Sequence, residues 1–438
     1  MKKTSDVRDF IRYAVPNVLG MAGLSCYILA DTFFISKGMG SNGLTALNLA
    51  LPVYNFMHGT GLMLGMGGAT RYSILRSQGQ DADAQRVYTH MLTLAGGFAL
   101  FFFLLGLFAS HAITQLLGAD PAVYDMTHTY LRVLLLFSPL FMLNDITMPF
   151  IRNDGAPRLA MGALITSSLS NIVLDYIFIF PLQMGIFGAV FATSIAPAIS
   201  LAIFLPFFLK KKHSFRPVRC PFRLHTAGSM ITLGLPSLVT EVSAGVVMIV
   251  FNTILLNLGG NLAVAAYGVI SNIAIVVTSI YTGIAQGTQP LFSRSYGGGQ
   301  HDRVTRFLKY AMVSAIGLSA LTYALIFLGA EPITAVFNSE CDPHLQAMAV
   351  KGLKLYFTSC FFAGFNIVLS SYFASVERSA PANVISLLRG FFVVIPAAIV
   401  LSLLGGLPGL WCAMTITEVL VSLFGIFVLR KKDKKIPV

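Results

Sequence analysis

Five carboxylates, Asp31, Asp145, Asp175, Glu241 and Glu418, lie inside stretches that are otherwise almost wholly apolar. A carboxylate at membrane depth costs at least ~2.5 kcal/mol on insertion scales, so its default reading is functional, against a rival in which a neighbouring Asn, Ser or Thr satisfies it for packing alone. Asp31 stands about six residues, and Asp175 about five, from the outer end of its apolar run, which places both ~8–9 Å below that membrane face. Asn171 precedes Asp175 by four and Ala189 precedes Thr193 by four, so each pair occupies one helix face. Thr193 lies ~13 Å into its own run, near the level of Asn171. Two carboxylates, a carboxamide and a hydroxyl make an oxygen-rich pocket that suits a hard cation. Two close carboxylates can equally share a proton. Either way these residues read as a site for a coupling ion, Na⁺ or H⁺.

The remaining polar residues allow two readings each. Glu241 and Glu418 could draw a cationic substrate or carry protons. Glu418, however, also sits in a stripe, Trp411, Thr415, Glu418 and Ser422, at helical spacing, and Ser and Thr commonly join membrane helices. His58 is either a proton relay or a packing residue. Asp145, beside Asn144, is either a gate or a polar pair near a helix end. A net acidic buried complement among many Phe and Met residues favours lipophilic organic cations.

Such residues need a scaffold that holds them inside a bilayer, and the composition provides it. Of 438 residues, 55% are hydrophobic and 11% charged, with mean hydropathy +0.75; a soluble domain carries about 25% charged residues. A soluble fold is excluded, and at about 20 residues per span there is room for about a dozen helices. Twelve apolar runs, from 9–37 to 406–430, fill it. All but four of the 30 Lys and Arg fall at the termini or in alternate connections, the exceptions being Lys37, Arg132, Lys351 and Lys354. By the positive-inside rule this alternation predicts a multi-pass protein of the cytoplasmic (inner) membrane with both termini in the cytoplasm. The net charge of +12 then reports topology, and no nucleic-acid partner is expected. The N-terminal apolar run has no small-residue cleavage site and reads as the first span. The five cysteines have no metal or disulfide spacing. No phosphate-binding loop, nucleophile elbow or HExxH is present, so no enzyme activity, ATP-driven transport or cofactor is expected.

The chain divides into a lobe of six helices at 1–209, a basic linker at 210–224, a second six-helix lobe at 225–430 and a basic tail at 431–438. The lobes repeat. At an offset of 220, Pro16 meets Pro236; at 218, GMGGATRYSILRSQG (65–79) overlies GIAQGTQPLFSRSYG (283–297); at 224, Ala156-Pro157 meets Ala380-Pro381; at 221, Gly185 meets Gly406. Six spans per half give both halves one orientation, with a pseudo-two-fold axis along the membrane normal and a substrate site between them. Asp31 and Asp175 have no acidic counterpart, matching Phe251 and Ile399.

These features resemble the multidrug and toxic compound extrusion (MATE) family, within it the MepA-like, DinF-related prokaryotic branch. The carriers are Pro16 with Ala30-Asp31-Thr32, RNDGAP (152–157), SNIVLDYIFI (170–179) with GIFGAVFAT (185–193), and the 283–297 segment. The resemblance implies an all-α MATE fold and a monomeric antiporter that exports organic cations against inward Na⁺ or H⁺ by alternating access, with membrane lipid as its surroundings. It places the family's ion site on Asp31, Asn171, Asp175, Ala189 through its carbonyl, and Thr193. Asp31, Asn171, Asp175 and Thr193 would be the side-chain ligands if the ion is Na⁺. The seventh-helix acid of some members matches Glu241. The tenth-helix acid of others has no counterpart within 355–375. A flippase for a lipid-linked glycan is the alternative on this fold; it would call for a basic cavity.

Overall fold

The structure, a computed structural model, describes residues 2–211, 213–338 and 342–431; Lys212, Cys341 and the expected tail after Lys431 lie outside the described residues. Helices and turns account for all elements among the described residues. Eight helices are long and apolar enough to cross a membrane, nine when the bent pair Tyr124–Leu136 and Ser138–Asn153 counts as one. Three of the nine are each two spans, joined at a glycine whose backbone is not helical: Gly40, Gly260 and Gly406. The total is then the expected twelve. We label them α1 and α2 (Lys2–Ser77, broken at Gly40), α3 (Asp81–Leu104, continuing to Leu116), α4 (the bent pair), α5 (Pro157–Ile179) and α6 (Gly185–Leu209). The second set is α7 and α8 (Leu224–Gly297, broken at Gly260), α9 (His301–Phe337), α10 (Pro343–Tyr356 through to Ser375), and α11 and α12 (Ser379–Arg430, broken at Gly406).

The repeat is written in the backbone. Gly40 has φ 66°, ψ −153° and Gly260 φ 63°, ψ −155°, the same glycine-only conformation at an offset of 220. The turn after α2 closes with Gly79 N–H on Arg76 O and Gln80 N–H on Leu75 O; the turn after α8 closes with Gly299 on Tyr296 and Gln300 on Ser295. Gly79 therefore corresponds to Gly299 and not to Gly297, and the offset of 218 read from the sequence is corrected to 220. Likewise Gly155 (φ 99°) corresponds to Glu377 (φ 59°), an offset of 222. Downstream, the five-residue π turn Leu388–Phe392 inserts one residue into α11. Asp175 thus matches Ala398, and both are fully buried, whereas the expected match, Ile399, is 46% exposed.

Two compact units emerge, residues 19–242 and residues 1–18 with 243–438. The helices α1 and α7 each pass from one unit to the other. In the first unit α7 crosses α2 so closely that a Cβ on Gly67 would strike the Met230 carbonyl and one on Gly234 the Met63 carbonyl. In the second, Gly283 and Gly287 take the backbone of Tyr13 to Val18 in the same way. Small residues let membrane helices approach at backbone distance, where dispersion does the work that the hydrophobic effect does in water. The start of α1 is further held by Asp6, which accepts from Arg303 and Arg306 at 2.8 Å each, and by Asp9, which accepts from Arg303 at 2.6 Å.

The basic linker is no loose tether. Phe215 is fully buried among the rings of Tyr72, Tyr88, Phe150 and Phe208. Three of its backbone N–H groups donate to side chains: Ser214 to Asp154 Oδ2 at 2.7 Å, Val218 to Thr89 at 2.9 Å and Arg223 to His90 at 3.0 Å.

Gly40→Ala and Gly260→Ala should each cost about 1–3 kcal/mol, because alanine must occupy a backbone region reserved for glycine. Gly97→Ala, at an open position in α3, is the control. Thermal unfolding in detergent checks this, and equal melting temperatures for all three would refute the strain.

Candidate functional site

Asp31 of α1, Asn171 and Asp175 of α5, and Ala189 and Thr193 of α6 are all buried in the unit of residues 19–242. The carboxyl groups of Asp31 and Asp175 are neighbours. Two bare carboxylates repel, so a proton or a cation shared between them would relieve the pair. Asn171, one turn before Asp175, donates from Nδ2 to Asp175 Oδ2 at 2.9 Å and accepts the Thr193 N–H at 3.1 Å, the amide orientation that satisfies both ends. The Thr193 hydroxyl neighbours Tyr130. Pro197, four residues on, has no N–H, which leaves the Thr193 carbonyl without its helical donor. The backbone oxygen freed here by sequence is that of Thr193; Ala189, expected to supply one, is fully buried one turn earlier on the same helix. After these bonds, Oδ1 of Asp31 and Oδ1 of Asp175 remain buried and without a partner. No group of three or more His, Cys, Asp and Glu suited to a metal occurs among the described residues, so a cation here would rely on Asn, Thr and carbonyl oxygens as well.

A second polar cluster adjoins the first. His58 Nδ1 lies 2.9 Å from Asp145 Oδ2, joining α2 to α4. Asp145 can approach because Gly61 and Gly65 offer no side chain where it passes. Glu241 packs on Gly59, beside His58. Tyr54 stacks on His58 with ring centroids 5.5 Å apart and neighbours Tyr27, one turn before Asp31. Sequence reasoning named His58, Asp145 and Glu241 separately and missed Tyr27, Tyr54 and Tyr130. For Tyr27 the signal was present, an i, i+4 spacing to Asp31.

The sequence profile of the MatE family matches residues 16–177 and again 236–400. This chain is a member of the MatE family. The double match begins at Pro16 and at Pro236, the offset of 220 that the backbone breaks show independently. Over 98% of its length the chain is 26% identical to the multidrug export protein MepA of Staphylococcus saprophyticus, covering 94% of that protein, and 24% identical to MepA of Staphylococcus aureus with the same coverage. Among solved structures it superposes with TM-score 0.90 on an outward-facing multidrug resistance MATE family transporter of the MOP superfamily (23% identity, 96% of this chain and 94% of that one). A MOP superfamily transporter from Pyrococcus furiosus gives the same score at 23% identity, with 97% and 95% covered. At that identity the structures establish the two-lobed MATE fold. The family is one of transporters rather than enzymes, and the chain is a multi-pass membrane protein.

The remaining candidate, Glu418, belongs to the other unit of this MatE protein and has a different setting. Arg389, in the π turn of α11, holds it with a forked pair of bonds, Nη2 to Oε1 at 2.7 Å and Nε to both oxygens at 2.9 Å. Asn366 donates to Oε2 at 2.7 Å and in turn accepts from Ser422 at 3.1 Å. Thr415 bonds Thr358, and Trp411 is buried against Tyr267. Every member of the stripe has a packing partner. Arg389→Met should destabilise the protein by about 3–5 kcal/mol by leaving the Glu418 charge buried and unpaired, and Arg389→Met with Glu418→Met should recover most of it. Chemical unfolding of the three proteins in detergent measures this; a single variant as stable as the parent would disprove an ionised Arg389–Glu418 pair.

Proposed function

We propose that this protein is a secondary active multidrug efflux antiporter that exports lipophilic organic cations in exchange for Na⁺ or H⁺. The observation that carries the reading is the Asp31/Asp175 pair with two buried, partnerless carboxyl oxygens. A fully satisfied site has nothing left to bind an ion; this one has two free acceptors. The MepA relatives, multidrug export proteins by name, support the cargo class. The His58, Asp145 and Glu241 cluster supplies two carboxylates to one imidazole. That balance favours a cation over the phosphate-linked cargo of a glycan flippase. Glu418, with both oxygens engaged, serves packing.

In the proposed cycle the ion enters from outside and neutralises the Asp31/Asp175 pair. Export of the drug is coupled to that neutralisation by alternating access, and the ion is released to the cytoplasm, where both termini lie. The protein works as a monomer in the cytoplasmic membrane. Division into lobes at the 210–224 linker is part of this proposal.

The test is ethidium efflux from proteoliposomes under an imposed Na⁺ gradient and, separately, an imposed pH gradient. Asp31→Asn and Asp175→Asn should each abolish gradient-driven efflux while leaving the protein folded in detergent. If either variant transports like the parent under both gradients, the ion site is elsewhere.

A further inference from the structure

At the helix ends of the unit formed by residues 19–242, the last turn of α2, the first turns of α3 and the linker enclose a cavity of about 560 Å³. That volume lies within the usual range for small-molecule sites. Its charge is uneven. On the floor, Arg76 and the Tyr72 hydroxyl (3.0 Å) both bond Asp154, whose side chain is 1% exposed. Arg76 and Asp154 therefore cancel. The rim keeps two cations, Lys211 and Arg216, which form no salt bridge among the described residues, against one carboxylate, Asp81. On the wall, His213 holds a buried Nδ1 with no partner. The apolar part of the lining is Ala84, the half-buried ring of Phe208 and the ring of Tyr72, which is itself buried at 1% exposure.

Two features fix the rim. Lys211 has φ 50°, a left-handed conformation that glycine or asparagine usually supplies at a helix C-terminus. Its N–H caps α6 on the Phe208 carbonyl at 3.0 Å. Ser214, three residues on, is tied to Asp154. The segment that carries Lys211, His213 and Arg216 is thus held at both the helix and the floor.

We propose that this cavity binds the phosphate group of an anionic phospholipid, with Lys211 and Arg216 on the phosphate, His213 donating from the wall and the half-buried Phe208 ring against the first carbons of the lipid. Ends of spanning helices lie at headgroup level, and basic pockets there recognise anionic headgroups. A cationic drug would be repelled by the same rim, so the site is distinct from the proposed transport route and does not depend on it. The chemistry recognised is a phosphate monoanion, which a lipid or a free phosphate could supply; the partly exposed Phe208 ring and the position at helix ends favour the lipid.

The test uses full-length protein in phosphatidylcholine nanodiscs, titrated with phosphatidylglycerol or with inorganic phosphate and read by native mass spectrometry. Phosphatidylglycerol should stay bound, and Lys211→Ala with Arg216→Ala should weaken it by about thirtyfold, two basic contacts' worth. Both residues are exposed, so the fold should survive, and Lys309→Ala, an exposed lysine in α9, should change nothing. Retention of phosphatidylglycerol by the double variant at parental affinity overturns the proposal. So does inorganic phosphate that binds and displaces the lipid, which would make this a free-anion site.

Discussion

Two carboxyl groups buried in contact cannot both carry bare charge, and much of the first unit is arranged around that constraint. Taking a single ion out of water costs several kcal/mol even after relaxation, and a second like charge at its side adds to it. The surroundings answer only part of the cost. Asn171 gives one hydrogen bond to Asp175 and spends its oxygen on the Thr193 N–H. One oxygen of each carboxyl is left over. Full satisfaction would have been easy to build, since asparagine, serine and tyrosine are all close by. On the antiport reading, that incomplete satisfaction leaves the pair open to a positive particle, where full satisfaction would make it a strut.

Glu418 shows the alternative solution within one repeat architecture. Its charge meets Arg389 in a forked pair, and Asn366 fills a further lone pair. The counterparts of the ion-site acids in that unit are Phe251 and Ala398, both fully buried and apolar. Duplicated backbone breaks at Gly40 and Gly260 show that the scaffold is shared to within a few degrees. The divergence is therefore electrostatic and not architectural: one half leaves its acids open, the other closes its acid with an arginine.

The sequence disclosed whatever depends on local pattern. Twelve spans follow from apolar length, and the Asp31, Asn171, Asp175 and Thr193 set follows from depth and helical spacing. What it withheld depends on distant pairs and on register. Nothing local says that His58 will meet Asp145, 87 residues away, because that contact needs Gly61 and Gly65 to admit the crossing. Arg389 reaches Glu418 only because a π turn turns it there. Glycine-rich segments match one another at several offsets, so 218 and 220 looked alike for Gly79; only the hydrogen bonds of the turn separate Gly299 from Gly297. The linker read as basic and polar, yet Phe215 decides its structure by filling an aromatic socket.

Chain continuity gives the open acid pair its leverage. Asp31 sits on the part of α1 that packs with residues 19–242, while the first 18 residues pack with the other unit and are fastened there by Asp6 to Arg303 and Arg306. Pro16 stands two residues before the change of unit and leaves the Arg12 carbonyl without a helical donor, the usual origin of a bend. α7 has the same design, with Pro236 ahead of its own change of unit and Glu241 at the border. On the antiport reading, a proton or Na⁺ that settles or leaves at Asp31 alters the force on one arm of a helix whose other arm is anchored. The weakest point of that helix, the proline, is where the response must appear. Asp175, on a helix contained within one unit, meets the ion with Asp31, and on this reading it is Asp31 that passes the change to a helix shared by both units.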